Sequence, residues 1–221
     1  MKILAVEFSS PQRSVAVVQS QGQKTLECES TEIIETGARA NLAFDMIVQA
    51  LQQARLEREQ VDCLAVGLGP GSYTGIRAAI ALAQGWQLAR DVKLLGISSV
   101  EAIAAQAMAE GFAGRLTVII DAQRDEFYLA SFDLKSERQL EIEPLRLATL
   151  AEVQLRQNTG ELLVGPEVTE WFPNSRLIFP RASMIGRLAL GRMDFVSEEA
   201  LKPIYLRETQ FVKAPPARKF S

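Results

Sequence analysis

The stretch Gly67-Leu68-Gly69-Pro70-Gly71-Ser72-Tyr73-Thr74-Gly75-Ile76-Arg77 constrains the fold more than any other, because it sets four glycines and a proline between two apolar runs. Val61 to Val66 reads as a short buried strand and Thr74 to Arg90 as a helix whose first turn Ser72 or Thr74 can cap. A loop of this kind lets the backbone approach something closely. The N–H groups at a helix start face outward and favour anions. Gly69, Gly71, Ser72 and Thr74 are therefore candidate nucleotide or anion contacts. Arg77, in the first helical turn, is another, since a guanidinium can take phosphate or a partner carboxylate bidentately; a surface salt bridge is the plainer role. The two familiar phosphate-loop patterns do not fit. No Lys-Ser or Lys-Thr closes a P-loop, and the glycine spacing is not that of a dinucleotide fingerprint.

Around this loop the chain reads as one unit passed through twice. Lys2 to Phe8, Ser14 to Val18 and Thr25 to Ile34 read as strands, followed by a helix from Arg39 to Arg55, the strand at Val61, the glycine loop with its helix, a strand Val92 to Ile97 and a helix Ser98 to Glu110. From Leu116 the order recurs. Strands Leu116 to Asp121, Glu126 to Asp133 and Gln139 to Leu147 precede a helix near Leu150 to Arg156 and a strand Glu161 to Val164; Trp171 to Phe179 and Ala182 to Leu190 complete the pass approximately. The expected fold is α/β, with two ribonuclease H-like lobes of the actin-like ATPase and sugar-kinase class arising from an internal βββαβα duplication. The expected division is a first lobe over 1–110, a degenerate second lobe with a closing segment over 111–210, and a flexible tail over 211–221. Fold analogy of this sort carries no function by itself.

Composition narrows the function classes. A hydrophobic content of 48%, a charged content of 23% and a net charge of −3 are those of an ordinary globular protein, and argue against free-standing electrostatic binding of RNA. Cys28 and Cys63 have no paired or CxxC spacing, and the start MKILAVEFSS has no signal-peptide character, so a cytoplasmic chain without disulfides is expected. No apolar run approaches the ~20 residues of a membrane span, so no membrane partner is expected. The chain has no histidine. That removes the usual general base of a Ser or Cys triad and most zinc or iron ligand sets, so neither a catalytic centre nor a metal site is assigned.

Two helices carry more apolar surface than one core needs. On Arg39 to Arg55, residues Ala43, Phe44, Ile47, Val48, Leu51 and Ala54 form a core stripe, which leaves Leu42 and Met46 beside Gln49 on the opposite face. On the helix after the loop, Ile76, Ala79, Ile80, Ala83 and Trp86 face one way, and Ala78, Ala81, Leu82, Gly85 and Leu88 the other. Small residues on that second face let another helix come close. A second neighbour within the chain would cover these faces; taken together they favour association with another protein, through Leu42, Met46, Gln49, Ala78, Ala81, Leu82 and Gly85.

Two carboxylate-bearing turns complete the candidates. Glu7-Phe8-Ser9-Ser10 follows the first strand, where a nucleotide-binding relative of this fold would keep an acid and small hydroxyls near metal and phosphate. Asp121 to Glu126 is its counterpart in the second unit, and its carboxylates could hold Mg²⁺. The plainer readings are a strand end capped by Ser9 and Ser10, and a solvated turn.

Gly69 to Arg77, GPGSYTGIR, closely resembles the GPGSFTGLR signature of the bacterial TsaB (YeaZ) family. Other landmarks are similar in order: Ile3 to Ser10, Gly96 to Glu101, Asp121 to Tyr128, and Pro203 to Arg207. Ala40-Asn41 and Glu7 stand where that family commonly has His-Ser and Asp. The resemblance implies an actin-like subunit without its own catalytic centre. It implies pairing of first-lobe helices with a larger TsaD-like paralogue that bears metal-binding histidines, and a TsaE-like ATPase in the complex. It also implies transfer of threonylcarbamoyl to N6 of adenosine 37 of tRNA, with tRNA met through the complex and ATP or ADP with Mg²⁺ at the junction. A stand-alone kinase or acyl-transfer enzyme of the same fold, using Glu7 or Asp121 for metal, is the alternative. A homodimer through the same helices is a third.

Overall fold

The computed structural model describes residues 1–20, 28–37, 42–135 and 138–206; the side chain of Leu42, the pair Ala40-Asn41 and the tail lie outside the described residues. The first unit opens with an antiparallel meander of β1 (Lys2–Glu7), β2 (Gln12–Ser20) and β3 (Cys28–Thr36), continues through α1 (Leu42–Gln53), β4 (Cys63–Gly67), α2 (Tyr73–Arg90) and β5 (Lys93–Ile97), and forms a sheet ordered β3-β2-β1-β4-β5. After α3 (Ser99–Ala109), the second unit repeats it with β6 (Gly114–Asp121), β7 (Glu126–Lys135), β8 (Arg138–Thr149), α4 (Leu150–Asn158), β9 (Leu162–Gly165), α5 (Val168–Trp171) and β10 (Arg176–Leu177). Its sheet runs β10-β9-β6-β7-β8. Read from the hairpin end, the two orders are the same, which establishes the duplicated α/β architecture.

The central strands are apolar throughout because both of their faces are covered. Along β1, with the two-residue period of a strand, Leu4 and Val6 point into a core shared with α1 and α2, while Ile3 and Ala5 point into a second core. That second core is closed by α6 (Ala182–Leu190), which follows the second sheet in the chain yet packs on the first. Gly186 permits its close approach, since a Cβ there would lie 2.4 Å from Val18 Cγ2. The N-terminus of α6 is held by the first sheet: Glu32 accepts from Ser183 N (3.1 Å) and Ser183 Oγ (2.8 Å) and pairs with Arg181 (2.7 Å), and Ser14 Oγ accepts from Ala182 N (2.8 Å). A carboxylate there satisfies free N–H groups and opposes the positive end of the helix dipole.

Helix α3 is shared. Ala102 and Ala105 join the core behind the first sheet, while Val100, Ile103, Ala104 and Ala107 pack with Leu116, Val118 and Ile120 of the second. The chain then returns to the first unit: Val196 bridges to Leu94, Leu201 is buried in the core beneath α2, and Ile204 N donates to Leu68 O (2.9 Å). No helix among the described residues is long and apolar enough to cross a membrane.

The helical wheel of α1 is rotated from the expected one. Met46 is buried at 2%, with Ala43, Ile47, Ala50 and Leu51, whereas Phe44 (68% exposed) and Val48 (51%) face outward. The apolar arc is wide enough for either half to face the sheet. The small Ala43 and Ala50 turn inward, allowing α1 to sit close to β2 and β3.

Candidate functional site

Glu7 ends β1 with no exposed surface. Its Oε1 accepts from Ser9 N (2.6 Å) and its Oε2 from Ser99 Oγ (2.8 Å). Ser99 Oγ also accepts from Gly69 N (3.1 Å), and Ser99 N donates to Gly69 O (2.8 Å). One carboxylate and one hydroxyl thus tie β1, the glycine loop and the start of α3 together. Burial pushes the Glu7 carboxyl above its ordinary range, and the hydrogen bonds from Ser9 and Ser99 pull it part of the way back.

The glycines serve this packing. A Cβ on residue 67 would stand 1.9 Å from Glu7 Oε2, so only glycine leaves room for the carboxylate. Gly71 adopts φ +145°, and a Cβ there would stand 2.2 Å from Ser9 O. Next to it, Ser72 N donates to that same carbonyl (2.7 Å), and Ser72 Oγ caps α2 by accepting from Gly75 N (3.3 Å). The Gly69–Pro70 peptide is cis.

These contacts decide what the loop can hold. The N–H groups of Leu68, Gly69, Ser72, Gly75 and Ile76 all donate within the chain, and both oxygens of Glu7 are taken. Ser9 and Ser10 are buried, with Ser10 Oγ donating to Gln12 O (2.9 Å). As arranged, Glu7 does not fit a Mg²⁺ ligand, and most of the loop's N–H groups are already engaged inside the chain, those of Gly71, Tyr73 and Thr74 excepted. In the second unit Asp121 Oδ1 accepts from Gln123 N (2.7 Å) in its own turn, and no cluster of three acidic or cysteine side chains among the described residues is placed to hold a metal.

Thr74 and Arg77 are exposed. The guanidinium of Arg77 lies over the ring of Tyr73, 4.5 Å from its centroid, and Tyr205 of the closing segment stacks on Tyr73 at 5.7 Å. Partial burial pushes the Tyr205 phenol up against the opposing pull of Arg77.

Between α1 and α2 runs an open apolar groove of about 820 Å³. Phe44 and Val48 form one wall and Ala78, Ala81, Leu82 and Gly85 the other, with Trp86 at its floor and Arg58, Glu59 and Arg90 at one end. The indole N–H of Trp86 is buried without an acceptor. Ile76, Ala79, Ile80 and Ala83 are buried, leaving Ala78, Ala81 and Gly85 exposed on the other face of α2, in agreement with the sequence spacing. Gln49 is exposed, while Met46, expected on the outward face, belongs to the core; Phe44 and Val48 face outward instead, and the Leu42 side chain lies outside the described residues.

Sequence reasoning also passed over Glu167. Its carboxyl is pushed up to about 7 by burial, then by the charges of Asp121 and Glu170. It follows Gly165-Pro166 after β9, the place the glycine loop holds after β4, so the duplication itself was the signal that could have found it.

Residues 39–196 match the family described as TsaD: tRNA N6-adenosine threonylcarbamoyltransferase. The tRNA threonylcarbamoyladenosine biosynthesis protein TsaB of Haemophilus influenzae is 33% identical over 130 residues, covering 59% of this chain and 53% of that protein. The chain thus spans about half the length of that relative. The Escherichia coli TsaB is 26% identical over 192 residues, covering 79% of this chain and 83% of that protein. The solved structure of YeaZ from Pseudomonas aeruginosa superposes with a TM-score of 0.76 at 25% identity, covering 93% of this chain and 99% of that one. With the family match covering residues 39–196, well over half of the chain, and the YeaZ fold followed almost end to end, the chain belongs to the TsaD-type threonylcarbamoyltransferase family, on its TsaB/YeaZ branch.

Proposed function

We propose that this chain is a non-catalytic subunit that pairs with a larger TsaD-like paralogue and, with a TsaE-like ATPase, supports transfer of threonylcarbamoyl to N6 of adenosine 37 of tRNA in the cytoplasm. The observation that carries the reading is the groove between α1 and α2, where Phe44 and Val48 stand exposed opposite the small side chains of Ala78, Ala81 and Gly85. Small residues along one wall let a partner helix approach, and Phe44 supplies the large anchor that interface cores favour. Gln49, Arg58 and Arg90 supply a polar rim. Met46 supports this face from beneath.

The glycine loop then acts as a rigid launch point. Its packing against Phe8 and Ser9, and through Ser99 against α3, fixes the direction in which α2 presents its partner face. Without the paralogue, a second copy of the chain can occupy the same groove. A stand-alone nucleotide-dependent enzyme is the weaker reading, because of the two carboxylates it could use, Glu7 is enclosed and fully bonded, and both oxygens of Asp121 accept from Gln123 in its own turn. ATP or ADP with Mg²⁺, if bound at the junction, is held largely by the paralogue.

Sedimentation velocity on the chain, the histidine-bearing paralogue and their mixture tests the pairing. The mixture is expected to run as a stable heteromer, and Phe44→Glu with Ala81→Arg to weaken it at least ~100-fold by burying unpaired charge. Unchanged sedimentation of the double variant with the paralogue would place the interface elsewhere.

A further inference from the structure

Tyr73, at the start of α2, and Tyr205, in the closing segment, are far apart in sequence and meet on the surface. Their rings are 27° from parallel with centroids 5.7 Å apart, and Arg77 lies 4.5 Å from the Tyr73 centroid. Yet Tyr73 remains 56% exposed and Tyr205 43% exposed. The closing segment has other anchors: Leu201 is in the core and Ile204 N is bonded to Leu68 O. The stacked rings are therefore surplus to holding the chain end in place.

The charge distribution adds a second, independent observation. Residues 202–221 carry five basic side chains (Lys202, Arg207, Lys213, Arg218 and Lys219) against the single acid Glu208, whereas the preceding 201 residues carry 19 basic and 26 acidic ones. The body of the protein repels a polyanion, and the stretch that contains Tyr205 attracts one. Exposed aromatic faces, an arginine plane and a local run of positive charge form the combination that binds single-stranded nucleic acid, by stacking on bases and neutralising phosphates. An acidic protein surface would use the charge and leave the tyrosine faces idle.

We propose that the Tyr73–Arg77–Tyr205 stack is a platform for an unpaired base of RNA. The inference rests on the proposed role in tRNA modification, and it puts this chain in direct contact with the RNA. Paired RNA is a poor ligand, because its bases are already stacked and their faces covered.

Fluorescence anisotropy on the full-length chain, alone and paired with the paralogue, tests it, using a labelled RNA hairpin with an anticodon-type loop and the same strand annealed to its complement. Tyr205→Ala is expected to weaken hairpin binding about tenfold, Tyr205→Phe to keep it, and the duplex to bind more weakly than the hairpin. Tyr73→Leu provides a second route to the same loss. Hairpin binding indifferent to both Tyr205→Ala and Tyr73→Leu overturns the proposal, as does displacement of the hairpin by polyglutamate as readily as by unlabelled hairpin. Sedimentation of the same samples separates the two readings. Intact pairing with RNA binding indifferent to the tyrosines removes only the platform, whereas loss of wild-type pairing removes the functional reading beneath it.

Discussion

A carboxylate withdrawn from water is tolerated only when its oxygens are paired, and Glu7 meets that condition with the Ser9 N–H and the Ser99 hydroxyl. The position in this fold where an exposed acid could serve metal and phosphate has become an internal fastener. Because burial raises its carboxyl, the folded state holds the proton more tightly than the unfolded chain does. Its contribution is therefore most favourable at low pH, and stability falls as pH rises from the unfolded value near 4.5 through the raised folded one. Glu7→Gln keeps an acceptor for Ser9 N and turns an amide N–H toward Ser99 Oγ. Thermal melts from pH 4 to pH 8 are expected to show a smaller decline for this variant than for the wild type. An identical pH profile for both would mean that the Glu7 carboxyl holds its proton no more tightly in the folded protein than in the unfolded chain. The sequence announced that the glycine loop approaches something closely, but what it approaches was not legible. Glu7, Ser9 and Ser99 meet Gly67, Gly69 and Gly71 only once β1, β4 and β5 lie side by side.

At the scale of elements, α2 was easily read and α1 was not. On α2 the exposed face carries Ala78, Ala81 and Gly85, with Leu88 near its end, and the buried face Ile76, Ala79, Ile80 and Ala83; one arc is better suited to the core. On α1, Phe44 and Val48 are as apolar as Met46 and Ile47, so hydrophobicity alone cannot fix the rotation. The sheet fixes it by admitting Ala43 and Ala50 at close range. The consequence is a contrast between neighbours. Met46→Glu places a charge in the core and is expected to cost roughly 3–5 kcal/mol, enough to unfold much of the protein. Phe44→Glu, two residues away, should leave the denaturant midpoint of the isolated chain within about 0.5 kcal/mol of the wild type. Urea titration followed by far-ultraviolet dichroism distinguishes them; equal destabilisation by both would show that Phe44 is part of the core.

At the scale of the molecule, the duplication could be read from the order of strands and helices, whereas the crossing of α6 back to the first sheet could not. Nothing in Ala182–Leu190 specifies which sheet it covers; the Glu32 and Ser14 side chains that hold its N-terminus are far away in sequence. With α3 shared and α6 returned, the two units brace each other, and the face of α1 and α2 stands free on the far side of the first sheet. A member of a threonylcarbamoyltransferase family thus presents an enclosed acid at the end of β1, where a nucleotide contact was a candidate, and an open groove where its helices could have been covered. The central claim is that this groove, and no chemistry of the chain's own, is its contribution to the reaction. It is tested most directly by mass-spectrometric measurement of N6-threonylcarbamoyladenosine in unmodified tRNA incubated with threonine, bicarbonate, ATP, the enzyme that forms the threonylcarbamoyl adenylate, the TsaE-like ATPase, the larger paralogue and this chain. The account predicts full modification with the wild-type chain, none when the paralogue is omitted, and loss of at least ~90% with the folded Phe44→Glu, Ala81→Arg variant, in line with pairing weakened ~100-fold. Modification without the paralogue, or undiminished modification by the double variant, would contradict it.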